Sequence, residues 1–195
     1  MPNKLKNEES PYLKQHSENP VDWFAWNKTA LDKAKKEKKP IFLSVGYASC
    51  HWCHVMAHES FEDPDTAKIL NEKFINIKVD REERPDIDFV FQSSFQLFNQ
   101  AGGGWPLTMF LDENGVPFSG GTYFPKTSQH GLPSFKDVLQ KISDIYYEQR
   151  EKIISQSNLI IKNLTLRKSS VIDQDLKIFT DDILNKLDSI KGGFK

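Results

Sequence analysis

The two cysteines of this chain, Cys50 and Cys53, stand three positions apart and follow an apolar, β-rich run at residues 41–45. A short turn at residues 46–49 separates that run from a segment compatible with a helix. Because one helical turn holds about 3.6 residues, both sulfurs can lie at the helix start, close enough to bond to each other. The unpaired N–H groups and the positive dipole of that helix end stabilise a thiolate, the reactive form of cysteine. The pattern predicts a redox-active thiol pair.

Composition limits the classes of protein to which the chain can belong. Hydrophobic residues make up 38% of the 195 residues, enough for a sizeable core, and the formal net charge of −1 argues against nucleic acid as a partner. No apolar run approaches the roughly 20 residues needed to span a bilayer, and no apolar signal core follows the first basic residues. We therefore expect a cytoplasmic protein without a membrane partner. In that reducing compartment a catalytic or metal-binding cysteine pair is expected rather than a structural disulfide.

Cap, turn and periodicity signals predict an α/β domain at residues 1–150, with a central mixed sheet flanked by helices and an N-terminal extension. Residues 1–18 are expected to wrap the surface, and residues 151–195 to form a helical tail that is a linker or the start of a truncated helical domain. The predicted strands lie at 41–45, 74–79 and 105–111, and a hairpin partner of the last begins at 116. The predicted helices are one begun by Asn19 and Pro20 and reaching Ala34, the cysteine helix, and helices that begin at Asp63, Pro85 and Ser134. Two tail helices are predicted at 153–166 and 175–190.

Several spaced motifs within residues 9–145 together resemble one known family. They are Ser10-Pro-Tyr-Leu, Gln15-His16, Asn19-Pro-Val-Asp-Trp23, Cys50-His-Trp-Cys-His-Val-Met56, Glu59-Ser-Phe61, Lys78-Val-Asp-Arg-Glu-Glu-Arg-Pro-Asp86, Gly103-Gly-Trp-Pro106 and Gly120-Gly-Thr-Tyr-Phe-Pro125. The chain resembles the N-terminal domain of the spermatogenesis-associated, thioredoxin-like proteins and their bacterial and archaeal relatives. The resemblance implies a thioredoxin-like fold. It also implies an intramolecular partner, a large helical domain similar to sugar-epimerase toroids, which follows a Gly-Gly-Phe stretch like residues 192–194 and is mostly missing here.

The candidate activity is thiol–disulfide exchange on a protein or small-molecule substrate, with no dissociable cofactor. Cys50, nearest the helix end, is predicted to be the attacking thiolate, and Cys53 the resolving thiol. A positively charged His51 would lower the thiol pKa further and make the pair more oxidising. Trp52 could shield the sulfurs or cover the backbone of a substrate, and a simple packing role is an equal alternative.

Trp105 and Pro106 are the predicted substrate-binding residues. Thioredoxin-like proteins place a cis-proline opposite the disulfide, and Pro106 before a strand is the candidate in this sequence. A cis peptide bond there would turn the Trp105 backbone outward, so that an extended segment of a substrate could pair with it beside Cys50.

One position departs from the thioredoxin pattern. Thioredoxins carry a buried acid six positions before the first cysteine, which accepts the proton of the second thiol, and Ser44 stands there in this chain. The proton of Cys53 must then leave by another route, for which water, His54 and Glu59 are candidates. Asp80 could assist, although a capping or surface role is the preferred interpretation.

Three alternative functions use the same residues. Cys50, Cys53 and His54 formally match the attachment motif of c-type haem, and Cys50, Cys53, His54 and His58 could bind zinc. His54 and His58 share a helix face, whereas Cys53 and His54 are adjacent and point about 100° apart around a helix. The third alternative is a non-catalytic redox-sensing or docking module for the helical domain. Its interface could include the aromatic residues Trp23, Trp26, Phe89 and Phe91.

Overall fold

A five-stranded mixed sheet lies at the centre of the computed structural model, which describes residues 2–100, 102–129, 131–166, 180 and 184–186. The strands are β1 (Trp23–Ala25), β2 (Ile41–Gly46), β3 (Ile75–Asp80), β4 (Leu107–Leu111) and β5 (Pro117–Gly121). They are ordered β1-β3-β2-β4-β5; the first three in this order are parallel, β4 runs antiparallel to β2, and β5 runs antiparallel to β4. This is the predicted thioredoxin-like arrangement.

Helices cover both faces of the sheet. They are α1 (Pro11–Gln15), α2 (Lys28–Glu37), α3 (His51–Met56), α4 (Pro64–Lys73), α5 (Pro85–Asn99), α6 (Phe135–Glu148) and α7 (Arg150–Leu166). One hydrophobic cluster joins α1, α3, α4 and α6 to the face of β2 that carries Phe42. The other joins α2 and α5 to the face that carries Leu43. Because helices cover both faces of β2, its sequence is apolar at nearly every position instead of alternating between apolar and polar residues.

The prediction that a helix begins at Asn19 is wrong. The chain there forms β1, and the helix starts later, where the side chain of Asn27 accepts a hydrogen bond from the backbone N–H of Ala30. Trp23 and Phe24 are buried in opposite clusters, which is the alternation of a strand inside two apolar layers. The Asn19 side chain does not cap a helix but accepts from the Trp23 indole N–H.

The N-terminal extension does more than wrap the surface, which is the role predicted for it: part of it belongs to the core. A 3₁₀ turn at Lys4–Asn7 and α1 bury Leu5, Tyr12 and Leu13 in the cluster beneath the cysteines. The Asn3 side-chain amide donates to the backbone oxygens of residues 16, 19 and 21, so the extension is tied to the chain before β1. The burial arises because the extension covers one face of the sheet.

The remaining predicted elements of the described chain are confirmed with shifts of a few residues at their ends, including the Asp63-capped α4 and the Ser134-capped α6. The first tail helix lies within α7. The second, at residues 175–190, falls outside the described residues apart from 180 and 184–186, and residues 192–194 lie wholly outside them. The chain divides into two compact units, residues 1–164 and 165–195. Among the described helices, none has the length and apolar character needed to cross a bilayer.

Candidate active site

Cys50 and Cys53 form a disulfide where β2 gives way to α3. Their Cα atoms are 5.2 Å apart, and Cys50 is the N-cap of the helix, its Sγ accepting a hydrogen bond from the Cys53 backbone N–H at 3.2 Å. A π-helical turn at Ala57–Phe61 continues α3, so one helical segment supports the pair. Both cysteines are almost fully buried. The predicted proximity of the two sulfurs at a helix start is confirmed.

The side chains around the pair differ in exposure. His51 is exposed, and Trp52 is 52% exposed, with its ring 5.1 Å from that of Tyr123. The Tyr123 hydroxyl donates to Glu59 at 2.6 Å, and burial followed by this carboxylate raises the pKa of Tyr123 to about 12. Trp52 therefore packs against Tyr123, which Glu59 holds in place, while much of the Trp52 side chain faces solvent.

Trp105 and Pro106 lie at the entry to β4, and the peptide bond between them is cis. The Trp105 indole N–H donates to Asp88 of α5 at 2.9 Å, and the Arg81 guanidinium lies 4.0 Å from the centroid of the indole ring. A groove of about 330 Å³ runs beside this tryptophan, and its lining is Trp52, Trp105, Thr122, Tyr123 and residues 102–104. Trp52 of the cysteine motif and Trp105 next to Pro106 thus share one groove.

Lys78 is a buried residue of this site that the sequence reasoning missed. Its Nζ donates to Ser44 Oγ at 3.1 Å across the β2–β3 pair and lies 4.8 Å from the Trp23 ring and 4.6 Å from the Phe61 ring. Burial lowers its pKa from 10.5 to about 7. Strand alternation places Lys78 on the same face of β3 as Asn76 and Asp80, and such a polar face by itself predicts exposure to solvent rather than burial. The position expected to hold an acid thus holds a hydroxyl that accepts from a lysine.

The other candidate proton carriers have partners of their own. His54 Nε2 lies 2.7 Å from the Ala48 backbone oxygen, and Glu59 accepts from Tyr123. Asp80 accepts from the Ser10 hydroxyl at 2.6 Å and from the Glu82 backbone N–H at 2.9 Å, which is a structural role for this carboxylate.

The haem and zinc alternatives do not match this arrangement. The disulfide uses both sulfurs that either site would need, and His58 Nδ1 lies 2.9 Å from Glu62. Within the part of the chain that the structure describes, no three His, Cys, Asp or Glu side chains are grouped to hold a metal ion.

The four aromatic residues of the predicted docking interface do not form one exposed surface. Trp23 and Phe91 are buried in opposite clusters, because both belong to the core of the sheet. Trp26 is half-buried against Phe91, and Phe89 is 73% exposed. Only Phe89 of these four is therefore available as a large apolar surface.

A family described as "Thioredox_DsbH: Protein of unknown function, DUF255" matches residues 2–165. The chain belongs to this family. It is 47% identical over 175 residues to spermatogenesis-associated protein 20 of Rattus norvegicus and 46% identical over 177 residues to that of Homo sapiens. These alignments cover 89% and 90% of the chain but 22% of each relative, so the chain spans about a fifth of the length of these proteins.

Solved structures include one that is similar to this chain and titled "DsbH Oxidoreductase". The TM-score is 0.47 at 17% sequence identity, and the match covers 66% of this chain and 85% of that one.

Proposed function

We propose that this domain is a thiol–disulfide oxidoreductase in which Cys50 attacks and Cys53 resolves. The observation that carries the proposal is the Cys50–Cys53 disulfide at the N-cap of a helix. In the reducing direction, the Cys50 thiolate bonds to one sulfur of a substrate disulfide and the other sulfur leaves as a thiolate. Cys53 then bonds to Cys50 Sγ, and the second substrate sulfur leaves with the proton of Cys53.

The assignment of Cys50 as the nucleophile rests on its hydrogen bond. Cys50 Sγ accepts from the backbone N–H of Cys53, and such a bond strengthens when the acceptor carries a full negative charge. Cys53 lies within the first turn of the helix rather than at its cap. A positively charged His51 beside the pair would also stabilise the Cys50 thiolate.

Substrate binding is assigned to the groove between Trp52 and Trp105. Its lining is largely aromatic and includes the glycines at 102–104, whose lack of side chains would let a backbone approach closely. In this proposal Pro106 and the Trp105 backbone hold an extended segment of the substrate beside Cys50. The substrate class is a protein or small-molecule thiol or disulfide.

The position of this domain in a longer protein is also a proposal. Because the chain spans 22% of each of the relatives compared, a following helical domain is the proposed intramolecular partner, with residues 151–195 as the connection. A redox-sensing or docking module is the second candidate function, and the exposed Phe89 and Val90 of α5 favour it. A cytoplasmic location stays a prediction.

Two single-cysteine variants test the proposed function. Cys53→Ser should form a stable mixed disulfide with a model disulfide through Cys50, and wild type should reduce insulin with dithiothreitol as the electron source. Cys50→Ser should lower the turnover rate by roughly a hundredfold or more, since the nucleophile is gone. The measurements are insulin turbidity and the mass of the trapped adduct.

The outcomes separate the assignments. Faster adduct formation by Cys50→Ser than by Cys53→Ser would exchange the roles of the two cysteines. A wild-type protein that reduces no disulfide substrate, while its exposed α5 surface binds the helical domain stably, would favour the docking module instead.

A further inference from the structure

The hydroxyl of Tyr12 is buried without a hydrogen-bond partner. Tyr12 is 1% exposed, and none of the described residues donates to or accepts from its oxygen. A buried polar atom left in this state is costly, because it has given up its bonds to water without replacement. Such an atom in a candidate active site points to a partner that becomes available in another state of the protein.

This hydroxyl lies next to the sulfur of Cys53. A Cβ atom placed on Gly46 would lie 2.2 Å from the Tyr12 oxygen and 2.7 Å from Cys53 Sγ, so both atoms pack against the same point of β2. They are near neighbours beneath the disulfide. In the oxidised protein Cys53 Sγ is bonded to Cys50 Sγ and is a weak acceptor.

The phenol ring is held in this position from several sides. Ser10 caps α1, accepting from the Leu13 backbone N–H at 3.0 Å, and its hydroxyl donates to Asp80 of β3. The ring packs edge-on against His16, with centroids 5.1 Å apart, and Lys78 Nζ lies 5.1 Å from its centroid. None of these contacts involves the disulfide, so opening it removes nothing that holds the Tyr12 ring.

We propose that the Tyr12 hydroxyl donates a hydrogen bond to Cys53 Sγ when the disulfide opens, and so acts as the positioning residue of the resolving thiol. This inference rests on the proposed function and adds a group that the motif Cys50-x-x-Cys53 does not contain. It assigns a purpose to the N-terminal extension, which delivers Tyr12 to the site.

The hydrogen bond belongs to the resolution step. In that step the S–H bond of Cys53 breaks, Cys53 Sγ bonds to Cys50 Sγ, and the bond from Cys50 Sγ to the substrate sulfur breaks. The two cysteines are oxidised, the substrate sulfur is reduced, and the proton goes to the departing substrate thiolate. Tyr12 keeps its own proton throughout, because burial and then the charge of Asp80 hold its pKa well above the usual range. It acts as a donor that stabilises negative charge as it grows on Cys53.

Tyr12→Phe tests the inference, because it removes the hydroxyl and keeps the ring. The equilibrium of the cysteine pair with reduced and oxidised dithiothreitol should shift toward the disulfide by about tenfold, equivalent to about 30 mV, since only the dithiol form loses a bond. Resolution of a mixed disulfide should slow. The dithiol fraction is measured by thiol alkylation and mass spectrometry.

Tyr146→Phe is the matched control, since it removes a buried tyrosine hydroxyl that already donates, to Glu113. It should leave the dithiothreitol equilibrium unchanged. An unchanged equilibrium in Tyr12→Phe, or a shift toward the dithiol, would overturn the inference. This measurement needs no substrate. If wild type equilibrates with dithiothreitol but reduces no insulin, that result contradicts the proposed function and leaves the role of Tyr12 to be decided by the equilibrium.

A measurement on wild type covers the case in which Tyr12→Phe does not fold. In protein labelled at the tyrosine Cζ carbons, the Tyr12 resonance, assigned by elimination among the 5 tyrosines, should shift on reduction while that of Tyr146 stays in place. A Tyr12 resonance that is the same in both redox states would contradict the proposed bond.

Discussion

Lys78 is a residue whose charge the core accommodates poorly. Its Nζ donates to Ser44 and faces aromatic rings, and among the described residues no carboxylate forms an ion pair with it. Burial of an ammonium group without a counter-ion favours the neutral amine, so its pKa falls to about 7. Its hydroxyl partner, Ser44, stands at the position where thioredoxins carry a buried acid.

The pH dependence of stability should reveal this lysine. Between about pH 7 and 10.5 the unfolded chain binds a proton that the folded one has released. The free energy of unfolding should therefore rise with pH through this window, by up to about 1.4 kcal/mol per pH unit. Lys78→Met should remove this slope and be more stable than wild type at pH 7, the difference shrinking toward pH 10.

Urea unfolding of the oxidised protein at several pH values measures this effect. Lys68→Met, at an exposed position on α4, is the control and should keep the wild-type slope. If Lys78→Met and wild type have parallel pH profiles, the lysine does not titrate in the folded protein as described.

At the scale of elements, Asp63 both begins α4 and joins it to other parts of the chain. Its carboxylate accepts from the backbone N–H of Thr66 at 2.9 Å and from the Thr66 hydroxyl at 2.7 Å. Lys136 of α6 lies 3.0 Å away and Lys126 lies 3.1 Å away. The Thr66 bonds, followed by the two lysines, hold the pKa of Asp63 well below its usual range.

Two substitutions separate the cap from the ion pairs. Asp63→Ala should lower the free energy of unfolding by about 1–2 kcal/mol, because the N-terminal amides of α4 lose their acceptor. Asp63→Asn keeps an acceptor and should lose less than about 1 kcal/mol, since the lysines are partly exposed.

The measurement is chemical unfolding at pH 7 and at pH 3. The carboxylate contributes stability above its ordinary pKa of 3.8, and this contribution decreases as the pH falls below that value. The gap between wild type and Asp63→Asn should therefore narrow at pH 3. A loss as large in Asp63→Asn as in Asp63→Ala would assign the stability to the ion pairs instead.

At the scale of the whole molecule, three distant parts of the chain meet at Gly46. Tyr12 comes from the N-terminal extension, Gly46 ends β2, and Cys53 lies in α3. The contact is possible because Gly46 has no side chain. The extension, the sheet and the cysteine helix are therefore packed as one core, and the extension is part of the candidate active site.

Gly46→Ala should destabilise the folded protein by about 1–3 kcal/mol, because the added methyl group would overlap both the Tyr12 hydroxyl and Cys53 Sγ. Gly102→Ala is the control, since a Cβ there meets no atom within 4 Å, and its stability should change by less than about 1 kcal/mol. Thermal and urea unfolding of both variants measure the difference. Equal stability of Gly46→Ala and wild type would mean that the three segments are more loosely packed than described.

Much of the fold could be predicted because its signals are local. The apolar run of β2, the Asp63 and Ser134 caps and the spacing of Cys50 and Cys53 each need only a few neighbouring residues. β1 could not be predicted in this way. It is three residues long, and its pairing with β3 and its burial between two layers outweigh the helical spacing of its aromatic residues.

The sequence by itself determined that two thiols lie at a helix start after a buried strand, since the spacing and the flanking residues specify that geometry. Only the tertiary structure decided what surrounds them. Lys78 beside Ser44, Tyr12 beneath Cys53 and Trp52 opposite Trp105 are contacts between segments far apart in the chain. Such contacts depend on strand order and layer packing, which no local pattern of residues encodes.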